Sequence, residues 1–343
     1  MKPGTFTILF YFLLCKFLYA QDKELELHYN CAGGNAIFTK VNVIDERATN
    51  QTLGFVQVGG FNRIANVSFK GSLVDSLANY FLDKNFYGKR EQEITIILYE
   101  FYLSELTEGL SETGRFKLSL RLFEKLWDGT YVERVNIDSA FMCTAMDVTK
   151  KLLHSVDEQF CMIAGLAAKA NNHVGDETPH YTMEELKQLD KIEKKLIPIY
   201  NAAEYTAGIF QDYDQFKANA PDTSTVIIID TGNTKRISVY KWDKVKNKKI
   251  RLSNEDVYAV SDGKVLLKAT AIGFYKLTKI DNDFYYAGQT SFTNSFNVAL
   301  WGAMFGVVGA LAASNSERND GQYWLKINYV SGSSIPIGKV AKK

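Results

Sequence analysis

The tightest constraint on this chain lies between residues 116 and 137. Phe116, Leu118, Leu120 and Leu122 alternate with Lys117, Ser119 and Arg121. A period of two puts the apolar set on one face of a strand and the polar set on the other. Asp128-Gly129 follows as a turn, and Tyr131–Ile137 runs back as the partner strand. A half-buried hairpin needs something apolar to lie on it. The stretch from about Asp147 to Lys169 supplies that element: Val148, Leu152, Val156, Phe160, Ile163 and Ala167 recur at helical spacing.

The rest of the first half fits around this hairpin. Strands are expected over 35–46, Gly54–Val58 and Ile94–Tyr102. Ser72 opens a helix with Asp75 at the capping position, and Leu73, Leu77, Tyr80 and Phe81 form its apolar face. A polar loop over 170–181 ends this unit, and Met183–Tyr200 reads as one charged helix with a solvated face. The second half is β-rich. Short strands are expected at Thr225–Asp230, Ile237–Trp242, Val257–Val260, Val265–Ala269, Phe274–Lys279, Phe284–Ala287 and Tyr323–Tyr329, with turns at Asp262-Gly263 and Asp281-Asn282. The fold class is therefore α+β. The N-terminal unit is an antiparallel or mixed sheet with two packed helices, and the C-terminal one is a small β-rich domain containing one Gly-rich apolar helix. The domain reading is 1–20 signal peptide, 21–170 α+β domain, 171–203 linker and connector helix, and 204–343 β-rich domain.

The signal peptide rests on Lys2, the uncharged run Phe6–Leu14, and Ala20 before the polar Gln21-Asp22. That run is short of the roughly 20 apolar residues needed to span a bilayer. The expected location is thus exported: periplasmic, outer-membrane-associated or secreted. Beyond the signal the chain has three cysteines, Cys31, Cys143 and Cys161. An odd number leaves room for one bridge, and Cys161, on an apolar helical stretch, reads as a buried thiol.

Charge excludes one large class of function. With 40 basic and 39 acidic residues there is no global basic excess for nucleic acid. The compact basic run, Lys244, Lys246, Lys248, Lys249 and Arg251, reads as a hairpin tip.

The segment 298–313 is uncharged and glycine-notched. Gly302, Gly306 and Ala310 fall on one helical face, with Gly309 beside them and Trp301 at the flank, which is the spacing that lets two backbones approach closely. Sixteen helical residues would span about 24 Å, less than the roughly 30 Å hydrocarbon core. Three readings stay open: a helix in or on a membrane, a helix buried in the protein or an oligomer contact, and a glycine-rich loop. This segment is the expected contact with a membrane, an envelope protein or a second copy of the chain.

Enzyme-like signals are sparse. Val226–Asp230 followed by Thr231-Gly232 resembles the catalytic loop of aspartic proteases, which implies Asp230 as a candidate catalytic carboxylate. Asn233 departs from that pattern, and the chain holds no second such motif. His173, Asp176, Glu177 and His180 are donors of the kind that hold zinc, but at no recognised spacing, so no cofactor is expected. His28 and His154 stand isolated in the sequence. Serine-hydrolase and phosphate-loop motifs are absent. Tyr285, Tyr286 and Phe292 are aromatic candidates for a glycan or peptide surface, or equally for a sheet core.

Gly208-Ile-Phe, Asp214-Gln-Phe216, Asn219-Ala-Pro221, Val257–Lys264 and Gly273–Leu277 in order resemble uncharacterised exported proteins of the Bacteroidetes. The resemblance covers about 130 residues and implies an envelope or secreted location with no activity to transfer. The pattern of the first half is faintly similar to periplasmic envelope-assembly accessory domains, an analogy that does not fix function. The function expected is a non-enzymatic exported envelope protein that binds or scaffolds through its surfaces. The alternatives are a hydrolase using Asp230 and a glycan- or peptide-binding module.

Overall fold

The computed structural model describes residues 23–27, 38–48, 53–58, 63–82, 92–108, 111–146, 148–169, 178–230, 237–288 and 323–339. They form two units, one running through His180 and one beginning at Tyr181, and the architecture is α+β.

The first unit is built on one eight-stranded sheet. β1 (Lys23–Leu25), β2 (Lys40–Asp45), β3 (Gly54–Val58) and β4 (Arg63–Phe69) precede the three long strands β5 (Glu93–Glu108), β6 (Ser111–Lys125) and β7 (Tyr131–Ala145), and β8 (His180–Tyr181) is the short edge. The order is β1-β4-β3-β5-β6-β7-β8, with β2 also on β5. β5 is long enough to serve two neighbours. Its first half pairs in parallel with β2, from Lys40↔Glu93 to Asp45↔Leu98, and its second half with β3 at Gly54↔Leu103 and Phe55↔Ser104. A register shift between Leu98 and Glu100 separates the two halves. Gly54 sits where β3 meets β5, at φ +125, and a Cβ there would lie 1.8 Å from the Leu103 carbonyl oxygen. No other residue type fits that conformation and approach.

The hairpin expected over 116–137 is present and longer. Leu118 faces Ser139, Leu120 faces Ile137 and Leu122 faces Val135. Phe116, Leu118, Leu120 and Leu122 are all buried. Gly129 takes φ +87 in the connecting turn. The helix Thr149–Lys169 lies on this face, and the stripe Leu152, Val156, Phe160, Ile163 and Ala167 is buried in one core with the sheet. Phe160 is its centre: its ring lies 6.1 Å from Phe101, 5.3 Å from Tyr80 and 5.7 Å from Phe81. Tyr80 and Phe81 come from the helix Leu73–Phe81. Its N-cap is Ser72, whose Oγ accepts from the Asp75 amide at 3.0 Å and donates to the Asp75 carboxylate at 2.6 Å.

The second unit packs three small sheets. They are β10 (Ile227–Asp230), β11 (Ser238–Asp243) and β12 (Lys248–Arg251); β9 (Gly208–Phe210), β13 (Ala259–Ser261), β14 (Leu266–Thr270) and β15 (Gly273–Lys276); and β16 (Thr278–Ile280), β17 (Asp283–Gly288), β18 (Tyr323–Ile327) and β19 (Ser334–Lys339). Ile227, Val239 and Leu252 share one core with Ile209, Val260, Leu267 and Phe274. Asp281 and Asn282, at φ +48 and +64, make the tight turn from β16 to β17 that their positions suggested. The helix Tyr213–Lys217 adds Phe216 to an aromatic group with Phe210, Tyr258 and Phe284.

Several sequence expectations change here. Met183–Tyr200 is three short helices, Met183–Leu186, Leu189–Leu196 and Pro198–Asn201, all within the second unit. Pro198 has no amide hydrogen and starts the third helix at its first turn, so it cannot continue the second. Phe274–Lys279 is likewise two strands in different sheets, broken at Leu277. Cys161 is disulfide-bonded and not a thiol, whereas Cys143 is free and buried. No described helix is long and apolar enough to cross a membrane.

Candidate functional site

Asp230 is the last residue of β10, opposite Ser238, and is exposed. Thr231, Gly232 and Asn233 lie outside the described residues, so the protease-like turn is not on view. His180 is in β8, exposed, with its Nδ1 3.2 Å from the Thr130 hydroxyl. His173, Asp176 and Glu177 lie outside the described residues, and among those described no cluster of His, Cys, Asp or Glu could hold a metal ion. Trp301, Gly302, Gly306, Gly309 and Ala310, with the whole of 298–313, also lie outside, as do His28 and Phe292. His154 sits on the helix Thr149–Lys169, exposed, 3.3 Å from Glu158. Tyr286 is a core residue whose hydroxyl donates to Ser334 Oγ at 2.8 Å. Tyr285 is half-buried opposite Lys326.

Two unusual arrangements of charge occur in the second unit. The first is internal. Lys194 is buried, with its Nζ 2.7 Å from Asp283 and 3.3 Å from Asp190, and Lys326 reaches the other Asp283 oxygen at 2.8 Å. The Tyr329 ring lies 5.0 Å from the same ammonium. Lys268 is also buried, with its Nζ 3.8 Å from the Tyr258 ring centroid. It donates to the Tyr258 and Ala269 carbonyls at 3.1 and 2.8 Å, and burial pulls its ammonium down to about 8. Tyr213 donates to the Tyr329 carbonyl at 2.7 Å, and its ring is so close to Gly332 (φ +74) that a Cβ there would meet it at 2.3 Å. Lys194 ties the helix Leu189–Leu196 to β17 at Asp283, and Tyr213 ties the helix Tyr213–Lys217 to the Tyr329 carbonyl.

The second arrangement is external, on the sheet β10-β11-β12. Lys241, Lys244, Lys246, Lys248, Lys249 and Arg251 are all exposed, and Asp243 is the lone carboxylate among residues 237–252. Among the described residues none of these six cations forms an ion pair within 4 Å. The loop between β11 and β12 is short and fixed. The Asp243 carboxylate accepts from the Val245 and Lys246 amides at 2.9 and 3.0 Å, and Asn247 takes the left-handed φ of +47. These are turn devices with a mechanism: an aspartate capping two amides and an asparagine that tolerates positive φ. The same hydrogen bonds, that from Lys246 foremost, pull the Asp243 carboxyl below its ordinary value. They hold Val245 at the apex with 94% of its surface exposed.

Cross-strand register sorts the side chains. Trp242 faces Lys249 and Tyr240 faces Arg251, so these four share the outer face with Ile228 and the exposed Val226. Lys249 Nζ lies 4.7 Å from the Tyr240 ring centroid, a cation–π contact. Val239, Ile227 and Leu252 point the other way into the core. The outer face thus carries Tyr240, Trp242, Lys249 and Arg251, with Asp230 at the end of β10; by the same register Lys241 and Lys248 stand on the opposite face, and Lys244, Val245 and Lys246 lie in the connecting loop. The sequence marks the basic run as a hairpin tip, but the exposure of Val245 and the alignment of Trp242 with Lys249 follow only from register.

No family model matches the chain, and no curated protein matches it. A solved structure, "Crystal structure of uncharacterized protein", is similar over 44% of this chain and all of that chain, at 9% identity and a TM-score of 0.26. At that score no fold or function carries across.

Proposed function

We propose that this is an exported, non-enzymatic protein of the cell envelope that acts by surface binding, and that the β11–β12 hairpin with its connecting loop is its binding surface. The observation that carries this reading is the set of six exposed cations on one short hairpin, none of which forms an ion pair within 4 Å among the described residues, although Asp243 lies near Lys246 and Lys248 and Asp222 near Lys241. In a chain of net charge +1, so concentrated a field favours a polyanionic partner and speeds its encounter. Export is supported by the signal-like leader and by the disulfide at Cys161, since such bonds persist in oxidising compartments. The uncharged segment 298–313 supports a second, apolar contact with a membrane or a partner protein.

Fractionation and retention together test the reading. The mature chain is expected outside the cytosol, beginning at Gln21. It is also expected to be held on a dextran sulfate matrix, with K244Q/K246Q/K248Q/K249Q eluting at much lower salt. Cytosolic protein that keeps Met1, or a quadruple variant that elutes with wild type, would sink it.

A further inference from the structure

We infer that the β11–β12 hairpin docks on an anionic lipid bilayer, with Val245 entering the interfacial layer and the lysines around it resting on the headgroups. This rests on the surface-binding reading above and names the partner. Charge alone would fit any polyanion; the apex decides between them. A polyanionic sugar or nucleic acid presents hydroxyls, charges or base edges, and a branched aliphatic side chain at the leading point gains nothing from them. A bilayer surface has two layers, an anionic one outside and an apolar one beneath. The hairpin is built in the same order: Lys244 and Lys246 flank Val245, and Lys248 and Lys249 follow on opposite faces of β12.

Trp242 extends the match. It is 36% exposed, opposite Lys249 and close to the exposed Val226, and tryptophan prefers the headgroup level of a membrane. The turn is fixed before contact, because the Asp243 carboxylate already holds both apex amides. Little ordering entropy is therefore lost on docking.

Co-sedimentation of the full-length mature chain with vesicles tests the inference. With equal parts phosphatidylglycerol and phosphatidylcholine, binding is expected at low salt. It should weaken steeply between about 0.1 M and about 1 M salt, where the screening length shortens from about 10 Å to about 3 Å. Pure phosphatidylcholine vesicles should bind far less. Each of K244Q, K246Q, K248Q and K249Q should lower partitioning about 5-fold. V245S, at an exposed apex where folding is not at stake, should lower it about 5-fold or more with its salt dependence kept. The same V245S chain should elute from dextran sulfate with wild type. If V245S partitions like wild type, or if the protein binds dextran sulfate but not the anionic vesicles, the lipid assignment falls and the polyanion reading stands. If the lysine variants bind both supports like wild type, both fall together. The segment 298–313 is present in every chain compared.

Discussion

The two units place their charges differently. In the first, many charges on the long strands stand in matched pairs. Arg121 meets Glu133 at 2.5 Å, Arg134 meets Glu124 at 2.7 Å, and Lys117 pairs with Asp138. Glu93 takes hydrogen bonds from Tyr131, Lys40, Lys125 and Asn42. Its main core is built from rings and aliphatics around Phe160, and Glu105 and Arg121 are buried as well, Glu105 accepting from the Thr149 hydroxyl at 2.7 Å. In the second unit a charge cluster, Lys194 with Asp283, sits in the interior, while among the described residues the exposed cations of the β11–β12 hairpin form no ion pair within 4 Å. Long strands bring many cross-strand neighbours into register, so paired charges come readily. Short strands in three small sheets offer fewer such neighbours. The contrast is one of degree: the first unit pairs many of its strand charges, and the second leaves a basic hairpin exposed.

The largest expected effect probes the first unit's core. Phe160→Ala should cost about 4 kcal/mol, because it removes the ring that Tyr80, Phe81 and Phe101 share and leaves a cavity. Urea unfolding should show the loss, and a change below about 1 kcal/mol would mean that the helix does not anchor the sheet. Next, Asp283→Asn should cost about 3 kcal/mol by leaving the Lys194 ammonium buried with only Asp190 nearby. Adding Lys194→Met should recover much of that loss. A double variant no more stable than Asp283→Asn would show that the pair is not the interior feature separating the units.

Smaller changes refine the contrast. Ser72→Ala should cost about 1 kcal/mol through the lost cap on the helix Leu73–Phe81, measurable by thermal unfolding.

Acid should reach the first unit through Glu93. Burial pushes its carboxyl up, but the hydrogen bonds from Tyr131, Lys40, Lys125 and Asn42 outweigh that and hold it at about 2, below its ordinary 4.5. A carboxyl depressed in the folded state contributes stability that is fully present above the unfolded value. That stability is lost as pH falls from about 4.5 towards 2. Glu93→Gln should flatten this part of the pH profile, and an unchanged profile would show that Glu93 is not its source.

The smallest effect is expected at the hairpin. K244Q/K246Q should change stability by less than about 0.5 kcal/mol while weakening anion binding. A clear loss of stability would mean that those lysines are structural after all.

Much of the scaffold was legible because its signals are local. The alternation Phe116–Leu122 and the stripe Leu152, Val156, Phe160, Ile163 and Ala167 each state a period, and period follows from backbone geometry. Ser72 and the Asp-Gly and Asp-Asn turns announce themselves by chemistry within a few residues. The break of Met183–Tyr200 into three helices was less visible, although Pro198 signals its second boundary. The candidate surface was half legible: the basic run reads as a hairpin tip, but cross-strand alignment is needed to put Trp242 beside Lys249.

By itself, then, the sequence determined the long periodic elements, among them the 116–137 hairpin and the helix after it, and which face of each would be apolar, because those properties depend on neighbours two to four residues away, whereas short elements such as Arg63–Phe69 and Tyr213–Lys217 escaped it. Only the tertiary structure decided that Lys194 is buried against Asp283, 89 positions along the chain, that Cys161 is bonded, and that Val245 stands at an exposed apex. Burial, bonding and exposure depend on what the rest of the chain brings alongside, and no local pattern encodes that.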